Sequence, residues 1–348
     1  MKKLTTIMIL LLCICINSFS SEAIYLKSSY QSNKIDTDIR ILAENLAFLK
    51  ILNSEKNSNE KDFIQTKINN AISIINNYQN KINDDNLDSV KKYLNNDDAL
   101  IVEYIKANKN NLITNIDKLT LSDNIANFYK EFLGELTRLY KLKNKYPSEI
   151  AKIDNNELLG FEMNKRNVYL TFDDGPSKYT SGKIDILNKY NISANFFVVG
   201  KNVDLYKDDF AKLVNSNNVV GYHSNSHGNL IKLDKEKQYE EIVSSKKLIE
   251  KNYGIKIDYF RAPYGSRNDI STELINSAYK KHILWNIDSQ DWQKDFTEDI
   301  MYERVIRLVH LYDGGIVLFH DNNSKTQDVL EKVIISLQNS GFNFKSEY

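Results

Sequence analysis

Glycine and proline are very unevenly distributed along this chain of 348 residues. Eleven of the 12 glycines and two of the 3 prolines follow Leu159, whereas the stretch up to Leu159 contains one of each, Gly134 and Pro147. A long segment with so few turn-forming residues is expected to be helical, because frequent chain reversals need such residues. The sequence therefore predicts a helical first part and a turn-rich second part.

The apolar residues of the first part support this prediction. They recur every three or four positions, which is the spacing that places them on one face of a helix. Three such stripes are Ile39, Leu42, Leu46 and Leu49; Ile64, Ile68, Ile72, Ile75 and Ile82; and Ile125, Phe128, Phe132, Leu136 and Leu139. Ser122 is placed to cap the last of these helices. Together the stripes predict a bundle of about four helices.

The first residues have the pattern of an export signal. Lys2 and Lys3 precede an apolar run over residues 7–16, and residues 21–23 offer small side chains at a cleavage position. We therefore expect residues 1–23 to be a signal peptide and the protein to be secreted, periplasmic or associated with the cell envelope. The apolar run is short for a membrane span, so an uncleaved anchor is the alternative.

Composition excludes several functional classes. Both cysteines, Cys13 and Cys15, lie in the predicted signal peptide, so the mature chain would have no disulfide, cysteine nucleophile or thiolate metal ligand. Lysine plus arginine and aspartate plus glutamate each number 46, and neither half of the chain is basic. We therefore expect no nucleic-acid partner.

In the second part, five apolar runs typical of strands lead into ionisable or turn-forming residues. The segments at these ends are Thr171-Phe-Asp-Asp-Gly-Pro176, His223-Ser-Asn-Ser-His227, Arg261-Ala-Pro-Tyr-Gly265, Asp288-Ser-Gln-Asp-Trp292 and Leu318-Phe-His-Asp321. When strands are parallel, their carboxyl ends converge on one face, so groups distant in sequence meet there.

The residue types at two of these ends indicate metal chemistry. Adjacent Asp173 and Asp174 can divide their roles, one binding a cation while the other accepts a proton from water. An ordinary acidic turn is the alternative. His223 and His227 are four residues apart in a chain with only 5 histidines. Two histidines and one carboxylate leave open positions on a metal, as in catalytic sites.

The five segments, in this order, resemble the five motifs of the carbohydrate esterase family 4 polysaccharide deacetylases, also called the NodB-homology domain. The resemblance covers about the last 190 residues, a plausible length for one domain. It implies a distorted (β/α) barrel, an α/β fold, behind the all-α N-terminal part. The predicted divisions are a signal peptide (1–23), a helical domain of unknown role (24–150), a linker (151–164) and a deacetylase catalytic domain (165–348).

The resemblance also assigns the metal site and the base. It implies that Asp173 is the general base and that Asp174 binds a divalent metal with His223 and His227. Zinc is the expected metal for mixed nitrogen and oxygen ligands, while cobalt, nickel and iron are compatible with the same ligands. Arg261 would orient Asp173 and keep it ionised, with a surface salt bridge as the alternative.

The remaining assignments concern proton donation and the substrate pocket. The resemblance implies that His320 is the general acid and that Asp291 orients it. The backbone N–H of Tyr264 would stabilise the oxyanion, and Trp292 and Leu318 would line the pocket for the acetyl group. Both of these apolar residues are alternatively core residues. His282 and His310 lie outside the motifs and are expected to be structural.

The sequence thus predicts an exported, metal-dependent hydrolase that removes N-acetyl groups from a glycan. N-acetylglucosamine in peptidoglycan is the leading substrate, followed by chitin-like oligomers, poly-N-acetylglucosamine and O-acetyl xylan. The alternative from another class is a non-catalytic envelope protein whose barrel docks glycan and whose helical part binds a partner or wall polymer. An aspartate-nucleophile phosphatase fits less well, since such enzymes carry Asp-x-Asp rather than adjacent aspartates.

Overall fold

A computed structural model of the protein describes residues 34–56, 59–91, 96–142 and 151–348. The predicted signal peptide (1–23) and its cleavage position lie outside these residues, as does Pro147. In the part of the chain that the structure describes, no helix is both long and apolar enough to cross a membrane.

The first described part is helical, as the scarcity of glycine predicts. Five helices precede the sheet in the described residues, one more than the number estimated from the apolar stripes. They are α1 (Lys34–Ser54), α2 (Lys61–Gln79), α3 (Asp84–Lys91), α4 (Asn96–Asn108) and α5 (Asp123–Leu142). The predicted stripes face inward on α1, α2 and α5, although Ile72 and Phe128 are only partly buried and Ile82 lies just beyond the end of α2. The hydroxyl of Ser122 accepts a hydrogen bond from the N–H of Ile125 at 3.4 Å, which is the predicted cap.

A sheet of nine strands forms the second part of the described chain, and every strand pairing in it is parallel. The strands are β1 (Glu157–Leu158), β2 (Asn167–Gly175), β3 (Asn195–Val198), β4 (Val219–Tyr222), β5 (Tyr259–Phe260), β6 (Lys281–Ile283), β7 (Ile287–Asp288), β8 (Gly315–His320) and β9 (Asn343–Phe344). Their order is β1-β6-β5-β4-β3-β2-β8-β7, with β9 beside the start of β2. This curled sheet is the predicted distorted (β/α) barrel.

Helices fill the connections, because a parallel strand pair needs a crossover. They are α6 (Thr180–Lys189), α7 (Gly200–Leu205), α8 (Lys207–Val214), α9 (Lys235–Tyr239), α10 (Ser245–Tyr253), α11 (Asp269–Ala278), α12 (Glu298–Tyr312) and α13 (Ser324–Asn339). A single π-helical turn, Glu240–Ser244, joins α9 to α10.

The side chains of strand β2 contribute to two separate hydrophobic clusters. Its residues are almost all buried, as expected for a strand covered on both faces. Val168, Leu170 and Phe172 belong to the large core that includes the helices, whereas Tyr169 belongs to a smaller cluster with Leu318 of β8. Because side chains alternate along a strand, Asp173 lies on the same face as Tyr169. The interior of the barrel therefore leads up to Asp173.

The helical part packs directly against α12. The side chain of Asn45 in α1 donates to the carbonyl oxygen of Leu311 at 3.0 Å, and Arg307 of α12 lies 2.9 Å from Glu44. The predicted linker (151–164) is more than a connection, because Glu157 and Leu158 pair with β6 and extend the sheet. The division into domains remains a prediction.

Candidate active site

The five polar segments meet at the carboxyl ends of the strands, as the strand-end pattern predicts. β2 ends in the aspartate pair, β4 leads into the histidine segment, and β8 ends at His320. Asp173 and His320 are register partners on the neighbouring strands β2 and β8. A predicted base and a predicted acid therefore stand side by side at one edge of the sheet.

A bulge in β2 brings the two adjacent carboxylates to one place. Neighbouring residues in a regular strand point to opposite faces, but the register with β3 shifts between Asp173 and Gly175, and Asp174 has a left-handed φ of 70°. Asp173 Oδ2 lies 3.5 Å and Asp174 Oδ1 3.7 Å from Nε2 of His223. Both carboxylates therefore face the same imidazole.

The two histidines converge through the backbone of a loop. They follow β4 in an irregular segment, so their spacing of four residues does not correspond to a helical turn. Ser224 and His227 have left-handed φ values of 65° and 60°. The buried hydroxyl of Ser224 accepts the His227 N–H at 2.9 Å and fixes the turn.

Asp174, His223 and His227 form a set of groups that fits a divalent metal. Their ligand atoms all lie within 4.8 Å of one another. Nδ1 of His223 lies 2.7 Å from the carbonyl oxygen of Arg261, which can only accept, so Nδ1 carries the proton and Nε2 keeps its lone pair. Oδ1 of Asp174 is buried and accepts no hydrogen bond from any described residue. A buried carboxylate oxygen without a hydrogen-bond donor is available to bind a cation.

Electrostatics agree with a ligand role for His223. Burial lowers the pKa of its imidazole to about 3, although the Asp174 charge acts in the opposite direction. The ring is therefore neutral at physiological pH, which is the form that binds metals.

Arg261 is buried inside the barrel, which rules out the surface salt bridge that the sequence left open. Its Nη1 donates to Asp173 Oδ1 at 2.8 Å and to the hydroxyl of Thr171 at 2.7 Å. Its remaining nitrogens donate to the carbonyl oxygens of Ile283 and Leu284, both at 2.9 Å. Arg261 thus holds the Asp173 carboxylate in one orientation.

Burial raises the pKa of Asp173, and the charges of Arg261 and His320 only partly offset this. The expectation that Arg261 simply keeps Asp173 ionised therefore needs refinement. A carboxylate with a raised pKa is a stronger proton acceptor than a free one, which suits a general base.

Asp291 binds His320 through both of its carboxylate oxygens. Oδ1 lies 2.6 Å from Nδ1 of His320, and Oδ2 accepts the His320 backbone N–H at 2.7 Å. The hydroxyl of Thr326 also donates to Oδ2. Burial lowers the pKa of His320, but the hydrogen bond and charge of Asp291 outweigh burial and raise it to about 10. His320 is therefore a protonated, oriented imidazolium at neutral pH.

The three residues predicted to contact substrate differ in exposure. Tyr264 and Trp292 are 63% and 58% exposed, which is unusual for large aromatic side chains, and the Tyr264 ring lies 4.7 Å from the His227 ring. Tyr264 has a left-handed φ of 61° in the turn Pro263–Gly265. Leu318 is buried in the inner core, two residues before His320 on the same strand face. The pocket roles of these residues remain predictions.

Sequence reasoning missed a buried cluster behind the Tyr264 turn. Glu157 of β1 lies 2.5 Å from Nε of Arg267 and 3.3 Å from Nδ1 of His282. Arg267 donates to the carbonyl oxygen of Gly265 at 2.9 Å, and the N–H of Ala262 donates to Nε2 of His282 at 3.2 Å. His282 is structural, as expected, but the structure it supports is the turn that carries Tyr264. An isolated glutamate and arginine carry no sequence pattern that would have identified this cluster.

Two aspartates left unassigned also support the site. Asp288 accepts the Gln290 N–H at 2.7 Å and shapes the segment that contains Asp291. The N–H of Asp321 donates to the Asp173 carbonyl oxygen at 2.6 Å, and its carboxylate accepts from the hydroxyl of Thr180. His310, expected to be structural, is buried in α12 and bonds to the carbonyl oxygen of Ile306 at 2.8 Å.

Comparisons with known proteins point to the family that the sequence motifs resemble. The polysaccharide deacetylase family model matches residues 161–282. An uncharacterised 30.6 kDa protein of Geobacillus stearothermophilus is 31% identical over 219 residues, which cover 59% of this chain and 81% of that protein. The peptidoglycan-N-acetylmuramic acid deacetylase PdaC of Bacillus subtilis is 31% identical over 215 residues, covering 61% of this chain and 44% of PdaC.

Two further similarities concern sequence and fold. The peptidoglycan-N-acetylglucosamine deacetylase PgdA of Listeria monocytogenes is 34% identical over 184 residues, covering 53% of this chain and 38% of PgdA. The match therefore spans less than half of PdaC and of PgdA. The solved Bc1960 peptidoglycan N-acetylglucosamine deacetylase shares the fold, with a TM-score of 0.51 at 24% identity over 59% of this chain and 93% of that one. The chain belongs to the carbohydrate esterase family 4 polysaccharide deacetylases, with the NodB type of (β/α) barrel.

Proposed function

We propose that this protein is a metal-dependent hydrolase that removes N-acetyl groups from a glycan. The observation that carries the proposal is the register pairing of Asp173 with His320, directly beside the convergent Asp174, His223 and His227. A base, an acid and a set of metal ligands at one strand edge are the parts that amide hydrolysis needs.

Asp174, His223 and His227 are the residues that would hold the metal, and zinc is the expected ion. When bound, such an ion polarises the carbonyl of the acetamide and lowers the pKa of a coordinated water. The Nδ1–H of His223, donated to the Arg261 carbonyl, fixes which ring nitrogen faces that ion.

Asp173 accepts the proton of the attacking water. Arg261 holds the carboxylate through Oδ1, so Oδ2, on the side of His223, is left to accept the proton. The backbone N–H of Tyr264 is the proposed oxyanion donor, held at the site by the turn Pro263–Gly265.

His320 donates a proton to the leaving amine. Its Nδ1 is bound to Asp291, so Nε2 is the nitrogen that can face the substrate. The raised pKa keeps the imidazole ring protonated before the C–N bond breaks and the amine leaves. Exposed Trp292 and buried Leu318 are the proposed walls of the acetyl pocket.

N-acetylglucosamine in peptidoglycan is the substrate we propose first. The names of PgdA and of the Bc1960 protein support this substrate. The name of PdaC makes N-acetylmuramic acid in peptidoglycan the first alternative substrate. Export to the cell envelope is part of the proposal and rests on the apolar segment after Lys2 and Lys3.

Acetate release from a panel of glycans tests this function. The purified protein would be given peptidoglycan, N-acetylglucosamine oligomers and acetylated xylan, with zinc, with chelator, and with chelator followed by excess zinc. We expect release from an N-acetylated glycan that chelation stops and zinc restores. Release from acetylated xylan alone would replace the amide substrate by an ester. No release from any glycan by the zinc-loaded protein would contradict the proposal.

A further inference from the structure

A carboxylate of the helical part, that of Glu135, makes hydrogen bonds beside the active site. We propose that Glu135 of α5 is a positioning residue that holds the segment Asp288–Trp292, here called the acid loop, in its working position. The helical part is then a component of the catalytic unit. This inference rests on the proposed function, because the acid loop supplies Asp291 to His320.

A single oxygen of Glu135 fixes the acid loop at two points. Oε2 accepts a hydrogen bond from Nε2 of Gln290 at 2.9 Å and from Nη2 of Arg304 at 2.7 Å. Arg304 of α12 in turn donates through Nε to the carbonyl oxygen of Asp288 at 2.7 Å. The start and the middle of the loop are therefore both tied to α5.

The conformation of the loop explains why it needs this support. Gln290 has a left-handed φ of 58°, a region that residues other than glycine seldom occupy. Its N–H donates to Oδ1 of Asp288 at 2.7 Å, and its side-chain oxygen accepts from Gln293, just after the loop, at 2.7 Å. Its side-chain amide nitrogen donates to Glu135, so the helical part supplies an acceptor for this residue.

A displaced loop would disturb the two functional neighbours of Gln290. Asp291 follows it directly and binds both the backbone N–H and Nδ1 of His320. Trp292 comes next, and its indole N–H lies 3.4 Å from Oδ2 of Asp288. Substitution of Glu135 would therefore affect the proposed acid, His320, and the exposed ring of Trp292 indirectly, through the acid loop.

Another ion pair across the same interface provides a matched control. Glu44 of α1 lies 2.9 Å from Nη1 of Arg307, which is one helical turn after Arg304 on α12. Glu44 also accepts from Tyr129, and among the described residues its hydrogen bonds go to Tyr129 and Arg307 rather than to the acid loop. Glu44→Ala thus removes a carboxylate of the helical part from an arginine of α12, as Glu135→Ala does, without reaching the acid loop.

Steady-state kinetics on the full chain supply the first test. We expect Glu135→Ala to lower kcat about 10- to 100-fold, as is typical when a partner of a catalytic group is lost. Gln290→Ala should lower kcat to a similar extent. The double variant should have a kcat no lower than that of the more impaired single variant, because both substitutions remove the same Gln290–Glu135 hydrogen bond. Glu135→Gln keeps an acceptor oxygen and should retain most of kcat. Glu44→Ala should keep kcat while lowering the melting temperature.

Acrylamide quenching of tryptophan fluorescence supplies a test that does not depend on activity. The chain has 2 tryptophans, and Trp285 is 6% exposed against 58% for Trp292, so the quenchable emission comes from the acid loop. We expect quenching to change in Glu135→Ala and to stay unchanged in Glu44→Ala. Unchanged quenching and kcat in Glu135→Ala, or equal loss of kcat in both variants, would overturn the inference. If the unaltered protein released no acetate, the proposed function would fail, while quenching would still decide whether Glu135 holds the loop.

Discussion

At the scale of single residues, the active site depends on backbone conformations that the sequence does not display. The residue types and their order were sufficient to predict that Asp173, Asp174, His223 and His227 meet. The means of convergence was not predictable, because left-handed φ values at Asp174 and His227 leave no trace in residue type. Both carboxylates of the aspartate pair face His223 because of the bulge in β2, whereas a regular strand would direct neighbouring side chains to opposite faces.

The pair of Asp291 and His320 leads to a pH-dependent prediction. Burial lowers the pKa of His320, but Asp291 outweighs burial and raises it to about 10, so the proposed acid is protonated below that pH and loses its proton as pH rises through it. Asp291→Asn should lower kcat by roughly 10²- to 10⁴-fold, the usual contribution of an acid–base group. It should also move the alkaline limb of the pH profile to lower pH. Rates measured across the alkaline range test this, and an unchanged limb would show that Asp291 does not set the acidity of His320.

At the scale of elements, long and periodic segments were predictable and short ones were not. The stripes on α2 and α5 carry a clear helical period, and the apolar runs of β2 and β8 are recognisable as strands by their length and residue types. β1 has 2 residues, too few for any periodicity, and it lies in a polar stretch that resembled a linker. Its place in the sheet is set by pairing with β6 and by the buried contacts of Glu157. These contacts join residues that are distant in sequence, so no local pattern reveals them.

Glu157 should make stability depend on acidic pH. Burial raises its pKa, but hydrogen bonds from Arg267 and His282 outweigh burial and lower it from 4.5 to about 2. A lowered carboxyl pKa stabilises the fold by about 3 kcal/mol above pH 4.5, and this contribution is lost as pH falls toward 2. Denaturant unfolding of the protein and of Glu157→Gln should show a difference near neutral pH that shrinks below pH 4.5. A difference independent of pH would contradict the assigned ionisation.

Two glycines should respond to alanine with opposite signs. Gly134 is exposed within α5 and a Cβ there meets nothing within 4 Å, so Gly134→Ala should stabilise by about 0.5–1 kcal/mol through helix propensity. At Gly221 of β4 a Cβ would lie 2.4 Å from the Phe197 ring, so Gly221→Ala should destabilise by about 1–3 kcal/mol. Thermal and denaturant unfolding measure both, and stabilisation at Gly221 would mean that the barrel interior is loosely packed.

At the scale of the whole molecule, the helical part and the barrel share one interface along α12. Arg307 lies 2.9 Å from Glu44 and 3.3 Å from Asp98, and Asp313 accepts a hydrogen bond from Tyr78 at 2.5 Å. Nothing in the glycine distribution or the apolar stripes revealed this docking, because each stripe specifies a buried face but not what covers it.

Removal of the helical part should therefore destabilise the barrel. Without α1 and α4, the buried guanidinium of Arg307 loses Glu44 and Asp98, and an unpaired buried charge is costly. We expect a chain beginning at residue 151 to be insoluble or to melt at a clearly lower temperature than the full protein. Calorimetry of both chains measures this, and equal melting temperatures would show that the barrel folds independently.

A pair of substitutions separates the proposed base, Asp173, from the proposed metal ligand, Asp174. Asp173→Asn and Asp174→Asn would be compared for bound zinc and for acetate release from the best glycan. We expect Asp173→Asn to bind zinc normally but to lose about 10²- to 10⁴-fold in rate, whereas Asp174→Asn should lose the metal and the activity together. Full activity of the zinc-loaded Asp173→Asn variant would contradict the assignment of the base.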